Sequence, residues 1–301
     1  MPRHFLNILD LSKEEARAVL LRAKALKDGD IRTRMLDGKT VILIFEKAST
    51  RTRVSFEVAV RHLGGQTVFL TPHESQLGRN EPLKDTARVL SRYADALVVR
   101  TFGQEKLETL VEWGSIPVVN ALTDEHHPCQ VMSDVLTMYE RTPDLPALKV
   151  GWIGDGNNMA HSWIEAAALY GFDLTLACPS GYTPDTDIVA RAKALGARVT
   201  LTEDPAVAAR DADYLNTDVW ASMGQEAEQL RREAAFEGYQ LNDGLMALAK
   251  PGCKVMHCLP AHRGEEISDE VFEANADMIF DEAENRLHMQ KAVLEWVFEA
   301  L

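Results

Sequence analysis

Disulfides, membrane spans and an excess of positive charge are all missing from this sequence. Its four cysteines, at 129, 178, 253 and 258, include no C-x-x-C pair. So few thiols in a chain this long do not make a disulfide framework. No apolar run approaches the roughly 18 residues of a membrane-spanning helix, and the opening MPRHFLNILDLSKEE lacks the apolar core of a signal peptide. Lys and Arg number 32 against 46 Asp and Glu, a net charge of −14. That balance argues against a nucleic-acid backbone or an anionic membrane as the main partner. There is no fixed-period repeat and no low-complexity tract. These absences leave the expectation of a cytoplasmic enzyme.

What is present is ordinary globular material, 46% hydrophobic and 26% charged over 301 residues. This suffices for a sizeable core and, at this length, for two domains, since single cores rarely grow beyond roughly 250–300 residues. A β-then-α rhythm runs along the chain. TVILIF (40–45) is an apolar run of strand length, and the helical stretch RVSFEVAVRHLGG follows it. QTVFL, LKDTARVLSRYA, ALVVRTF, KLETLVEWG and SIPVVNAL then alternate strand and helix, and HHPCQVMSDVLTMYERT is helical again. TPDLPAL (142–148) carries two prolines and reads as a linker. Beyond it the rhythm restarts with the strand and turn KVGWIGDG, the helix NMAHSWIEAAALYG and the strand FDLTLAC. DIVARAKALGARVTLTED and KPGCKVMHCLP add further strands, and a terminal helix is expected from Leu287. The fold class is α/β, with two similar-sized domains, each a mainly parallel sheet flanked by helices. Ligands in such folds sit at the carboxyl ends of strands.

The first such end is rich in donors. Lys47-Ala48-Ser49-Thr50-Arg51-Thr52-Arg53 follows the strand and opens a helix. A helix N-terminus offers unpaired N–H groups and partial positive charge, which favour an anion. The hydroxyls of Ser49, Thr50 and Thr52 add donors, and Arg51 and Arg53 add planar forks suited to phosphate. The plainer reading is that Ser49 or Thr50 is an N-cap and the arginines face solvent. Arg100 after ALVV and His127-Pro128-Cys129-Gln130 after VVNAL sit at equivalent ends. His126, His127 and Cys129 form H-H-x-C, which matches no common structural-zinc spacing, so no metal is expected.

S-T-R-T-R behind a strand, followed by H-P-x-Q, resembles the carbamoyltransferases, and the resemblance runs the whole length of the chain. It implies that Ser49, Thr50, Arg51 and Thr52 hold the phosphate of carbamoyl phosphate. It also implies that Arg100, His127 and Gln130 reach the carbamoyl oxygen and amide. Gln76, in ESQLGRNEP, matches a position that enters a neighbouring subunit's site, which implies a homo-oligomer, a trimer or a multiple of trimers. The expected division is 1–141, joined by the terminal helix 286–301, for carbamoyl phosphate and 148–285 for the amino acid. Chemistry asks for these groups independently. Attack on a carbamoyl carbon places negative charge on its oxygen, which a preorganised Arg and His stabilise.

The second half bears on the acceptor. Ile153-Gly154-Asp155-Gly156-Asn157-Asn158 looks like a dinucleotide turn, but position 159 is Met and FDLTLAC ends without a ribose-binding acid. No nicotinamide or other cofactor is expected. The turn resembles the family's amino-acid-binding turn, which puts Asn158 at the substrate. Asp218-Val219-Trp220-Ala221-Ser222-Met223-Gly224 resembles the loop by which ornithine-specific members hold the α-amino and α-carboxyl groups. Asp218 suits an ammonium, and Ser222 and Met223 complete that binding set. His257-Cys258-Leu259-Pro260 matches the family's H-C-L-P, placing Cys258 beside the amine and offering the Leu259 carbonyl. A cysteine at a strand end is otherwise a small core residue. Glu284-Asn285-Arg286 is expected to open the last helix, with Arg286 returning to carbamoyl phosphate; the plainer reading is a solvated arginine.

The resemblance implies transfer of the carbamoyl group to the side-chain amine of L-ornithine, giving L-citrulline and phosphate. The proposed order is carbamoyl phosphate first, then the amino acid. Two alternatives stand beside it. One is a related acceptor, putrescine or N-acetylornithine, and the other is a non-catalytic binding protein on the same fold.

Overall fold

A computed structural model describes residues 2–71, 81–221 and 228–299. Gln76, Ser222 and Met223 lie outside the described residues. The chain divides into two compact units, Met1–Ser133 with Asn285–Leu301, and Asp134–Glu284.

Unit one begins with α1 (Lys13–Asp28), whose Ser12 and Glu15 form a reciprocal capping box. Then come β1 (Thr40–Phe45), α2 (Thr50–His62), β2 (Gln66–Leu70), α3 (Leu83–Leu90), β3 (Ala96–Arg100), α4 (Glu105–Trp113), β4 (Val118–Leu122) and α5 (Pro128–Arg141). The four strands pair in parallel in the order β2-β1-β3-β4. β3 is buried throughout and β1 beyond its first residue, which is why both read as unbroken apolar runs. From β1 the chain moves to one side for β2 and then to the other for β3. The crevice at such a switch point is where ligands bind. Its two loops begin at Glu46 and Thr101.

Unit two contains β5 (Lys149–Ile153), α6 (Asn158–Tyr170), β6 (Asp173–Ala177), α7 (Thr186–Ala194), β7 (Arg198–Thr202), α8 (Pro205–Ala209), β8 (Tyr214–Thr217), α9 (Gln229–Ala235), α10 (Asp243–Met246), β9 (Lys254–His257) and α11 (Asp269–Ala274). The sheet is parallel in the order β7-β6-β5-β8-β9, so its switch point lies between β5 and β8. Ile153, Leu215, Val255, Phe236 and Phe272 are buried together on one face of it. β8 is absent from the sequence reading because half of YLNT is polar. Asn216 and Thr217 are nonetheless fully buried between two neighbouring strands.

The last helix corrects the sequence reading. α12 runs from Ala276 to Val297, 22 residues, so it starts ahead of Leu287, and Glu284-Asn285-Arg286 lies inside it and does not open it. The same helix therefore has its first turns in unit two and its remainder in unit one. Among the described residues, no helix is long and apolar enough to cross a membrane.

Candidate active site

In unit one, Ser49 is the N-cap of α2. Its Oγ accepts from Thr52 N at 3.3 Å and lies 3.0 Å from Thr52 Oγ1. The capping role considered from sequence is therefore real, and it leaves the next residues, Thr50 and Arg51, exposed at the first turn. Capping and anion binding are compatible there, because only some of the first four N–H groups are satisfied by the cap. Arg53 is not part of the donor set. Its Nε donates to Glu57 at 2.8 Å and its guanidinium lies over the Phe69 ring at 3.6 Å.

Four further side chains come from other elements. Arg100 ends β3, His127 immediately precedes α5, Gln130 sits in its first turn, and Arg286 projects from α12; all four are buried. Arg286 Nη2 donates to Thr52 Oγ1 at 2.6 Å, linking the capped end of α2 to a residue 234 positions away. The His127 pKa is lowered well below the ordinary histidine range, first by burial and then by the charges of Arg286 and Arg100. The imidazole is thus neutral, and a neutral ring can donate one N–H without adding to the charge of two adjacent guanidinium groups. Cys129 belongs to the core, since burial pushes its thiol up to about 12 and its Sγ donates to the Asn120 carbonyl at 3.5 Å.

In unit two, the loops after β5, β8 and β9 carry the remaining residues. Asn157 caps α6 by accepting from Met159 N and Ala160 N, and Asn158 is half-buried as the first residue of the helix. Asn157, which sequence reasoning passed over, donates from Nδ2 to Asp218 Oδ2 at 2.9 Å. Asp218 Oδ1 accepts from Val219 N at 2.8 Å and from Cys258 Sγ at 3.1 Å. The carboxylate is buried and held from three directions. Burial, followed by the Asp218 charge, raises the Cys258 pKa well above the usual thiol range. Cys258 is a neutral donor at this position, not a thiolate nucleophile.

The glycine turn after β5 has a structural explanation. A Cβ on Gly156 would lie 2.2 Å from Pro184 N, and Gly156 N donates to Tyr182 O at 2.8 Å. The neighbouring backbone of residues 183–184 leaves no room for a side chain at this turn. Arg232 ties the same turn to the β8 loop, donating to Asp155 Oδ2 at 2.6 Å and to Trp220 O at 2.8 Å.

Behind Cys258 lies a pair that sequence reasoning missed. Leu259 N donates to His257 Nδ1 at 2.9 Å, which leaves the His257 proton on Nε2, 2.9 Å from Glu266 Oε1. His257 N in turn donates to Glu282 Oε2 at 2.9 Å. Leu259 has a left-handed backbone, φ 59°, a conformation that costs a non-glycine residue about 1 kcal/mol or more and persists where its surroundings enforce it. No sequence spacing marks Glu266. Only the return of the loop brings it to the histidine.

Comparisons with known proteins identify the family of both units. The profile of the aspartate/ornithine carbamoyltransferase carbamoyl-P binding domain matches residues 3–140, and that of the Asp/Orn binding domain matches 147–297. A Nitratidesulfovibrio vulgaris protein named ornithine carbamoyltransferase is 65% identical over 298 residues, 99% of each chain. A Geobacter sulfurreducens protein of the same name is 55% identical, with 98% of each chain covered. Among solved structures, ornithine carbamoyltransferase from Pyrococcus furiosus superposes with a TM-score of 0.94 at 45% identity, covering 100% of this chain and 98% of that one. The anabolic enzyme from Campylobacter jejuni gives a TM-score of 0.95 at 40% identity, covering 99% and 100%.

Proposed function

Because the chain belongs to the aspartate/ornithine carbamoyltransferase family, we infer that it transfers the carbamoyl group of carbamoyl phosphate to the side-chain amine of L-ornithine, releasing L-citrulline and phosphate. The observation that carries the choice of acceptor is the buried Asp218 carboxylate, held by Asn157, Val219 and Cys258 at the switch point of its sheet. A fixed negative charge suits the ammonium of a diamino acid and repels a second carboxylate such as that of aspartate.

The residue roles form part of the same proposal. Residues 1–141 with 286–301 handle carbamoyl phosphate and residues 148–285 handle ornithine. Ser49, Thr50, Arg51 and Thr52 take the phosphate on the N–H groups and hydroxyls at the start of α2, with Arg286 supplying charge. Arg100 and the neutral His127 donate to the carbamoyl oxygen, while Gln130 and the Leu259 carbonyl take the amide. Asn158, Asp218, Ser222 and Met223 orient ornithine, with Cys258 beside the amine, and Gln76 is assigned to a neighbouring subunit's site.

The ornithine amine, like lysine, has an ordinary pKa near ~10.4 and must lose its proton to react. Desolvation beside neutral groups favours the neutral amine. Its lone pair forms the C–N bond, charge gathers on the carbamoyl oxygen, and the C–O bond to phosphate breaks as phosphate leaves with the electron pair and takes up the proton that the attacking nitrogen gives up. Donors preorganised at the oxygen are typically worth on the order of 10²–10³ in rate each. The rest of the acceleration comes from juxtaposing two substrates and excluding water. A homotrimer, or a multiple of trimers, and a cytoplasmic location complete the proposal. The location is supported by four free thiols.

The test is phosphate release from carbamoyl phosphate with ornithine, putrescine, N-acetylornithine and aspartate offered separately, the product being identified by mass. Preference for ornithine with citrulline formed supports the reading. Preference for another amine overturns the acceptor assignment, and absence of turnover with all four overturns the activity.

A further inference from the structure

Unit two holds a cluster of ligand-type side chains that the reaction does not use. His262, Glu265 and Glu266 follow β9, and one donor atom of each lies within 4.8 Å of the others. The backbone brings them together. Glu265 N donates to His262 O at 2.9 Å, closing a tight turn, and His262 N donates to Glu266 Oε1 at 2.6 Å. The His262 and Glu265 side chains form an accessible rim, 48% and 37% exposed, with Nδ1 and Oε2 3.4 Å apart. Glu266 is the floor and is fully buried.

Charge is unbalanced at that floor. Glu266 Oε1 takes two neutral donors, His257 Nε2–H and His262 N–H. Its Oε2 is buried and has no hydrogen-bond partner among the described residues. Arg263, which follows His262 in sequence, pairs instead with Asp269, 2.6 Å from Nη1, and with Glu273. A buried carboxylate with one oxygen unsatisfied is costly unless a cation or donor meets it.

We propose that His262, Glu265 and Glu266 form a binding site for a divalent transition-metal ion of the zinc class. One imidazole nitrogen and two carboxylate oxygens are a donor set such ions accept, and water fills the fourth position of a tetrahedron. The accessible rim supplies an entry path, and the buried Glu266 carboxylate, its hydrogen bonding incomplete, supplies a ligand oxygen at the floor. A competing cluster, Asp218, His257 and Cys258, also has donor atoms within 4.8 Å. It is a poorer site because His257 has no nitrogen to spare. Nδ1 accepts from Leu259 N and Nε2–H is donated to Glu266. The proposed site reaches the substrate loop through the same residue. Glu266 Oε1 fixes the His257 ring, and the ring fixes the Leu259 N–H, so an ion on Glu266 is mechanically linked to Leu259.

The experiment titrates the intact protein, stripped of metal, with zinc against a chromophoric chelator. One ion per chain is expected, with a dissociation constant below about 10 µM. His262→Ala and Glu265→Gln each weaken it at least about tenfold, while Cys258→Ser changes it less than about threefold. His262→Ala removes an exposed side chain, so it folds, and its turnover without zinc matches the parent. Zinc binding that survives His262→Ala, binding lost in Cys258→Ser, or no binding in the micromolar range each overturns the assignment.

Discussion

The Cys258 thiol donates to the Asp218 carboxylate across 3.1 Å, joining two loops 40 residues apart in the chain. The contact helps hold the sulfur protonated, so the two groups are specialised: the thiol is a weak neutral donor and the carboxylate its acceptor.

Protonated sulfur makes a chemical prediction. The Cys258 pKa is raised well above the usual thiol range, and Cys129, Cys178 and Cys253 are each pushed up to about 12, with burial the leading cause in all four. Alkylation by iodoacetamide, followed by peptide mass, should be slow at every site and still rising at pH 9.5. A Cys258 rate that levels off below about pH 8.5 would contradict the neutral thiol.

Asp218→Asn keeps the shape and removes the charge. The Michaelis constant for ornithine should rise about 30- to 150-fold, the equivalent of about 2–3 kcal/mol for a lost charged interaction. Carbamoyl phosphate affinity should move less than about threefold. Equal losses for both substrates would mean that Asp218 supports the fold and does not select the amine.

Arg286 and Thr52 should behave as a unit. Arg286→Met is expected to weaken carbamoyl phosphate binding about 10- to 100-fold, and Thr52→Val about 3- to 10-fold. The double variant should fall short of their product, because the 2.6 Å bond between them is broken in either single variant. Full additivity in titration calorimetry would show the contact to be incidental.

His127 gives a stability prediction with a definite sign. Its folded-state pKa is lowered well below the ordinary value, so below about pH 6.5 the unfolded chain takes up a proton that the folded chain does not. The stability it contributes is fully present above that pH and is lost as the pH falls, by at most about 1.4 kcal/mol per pH unit. Denaturant melts from pH 7.5 to 5 should show a steeper decline for the parent than for His127→Asn. Parallel declines would refute a neutral buried ring.

Strand spacing and loop chemistry were readable from the residues because they are local. TVILIF is an apolar run of strand length and forms β1, and S-T-R-T-R at its end opens α2 with Ser49 as the N-cap, a donor-rich helix start legible from residue types. YLNT was not readable, since burial by flanking strands, and not its own hydropathy, makes it β8. The start of α12 was not readable either. The stretch EANADMIF (273–280) carries no proline or glycine, and none follows before Arg286, so the helix extends further back than its apolar spacing suggested.

The sequence by itself determined the fold class, the donor-rich end of β1 and Asp218 as the candidate partner for an ammonium. Tertiary structure decided which of those residues touch. Arg286 meets Thr52 because α12 returns to unit one, Asn157 meets Asp218 because β5 and β8 are paired, and Glu266 meets His257 because the loop after β9 turns back on itself. Parallel pairing demands crossovers, which place residues distant in the chain at the same end of a sheet. Spacing along the chain therefore carries no trace of those contacts.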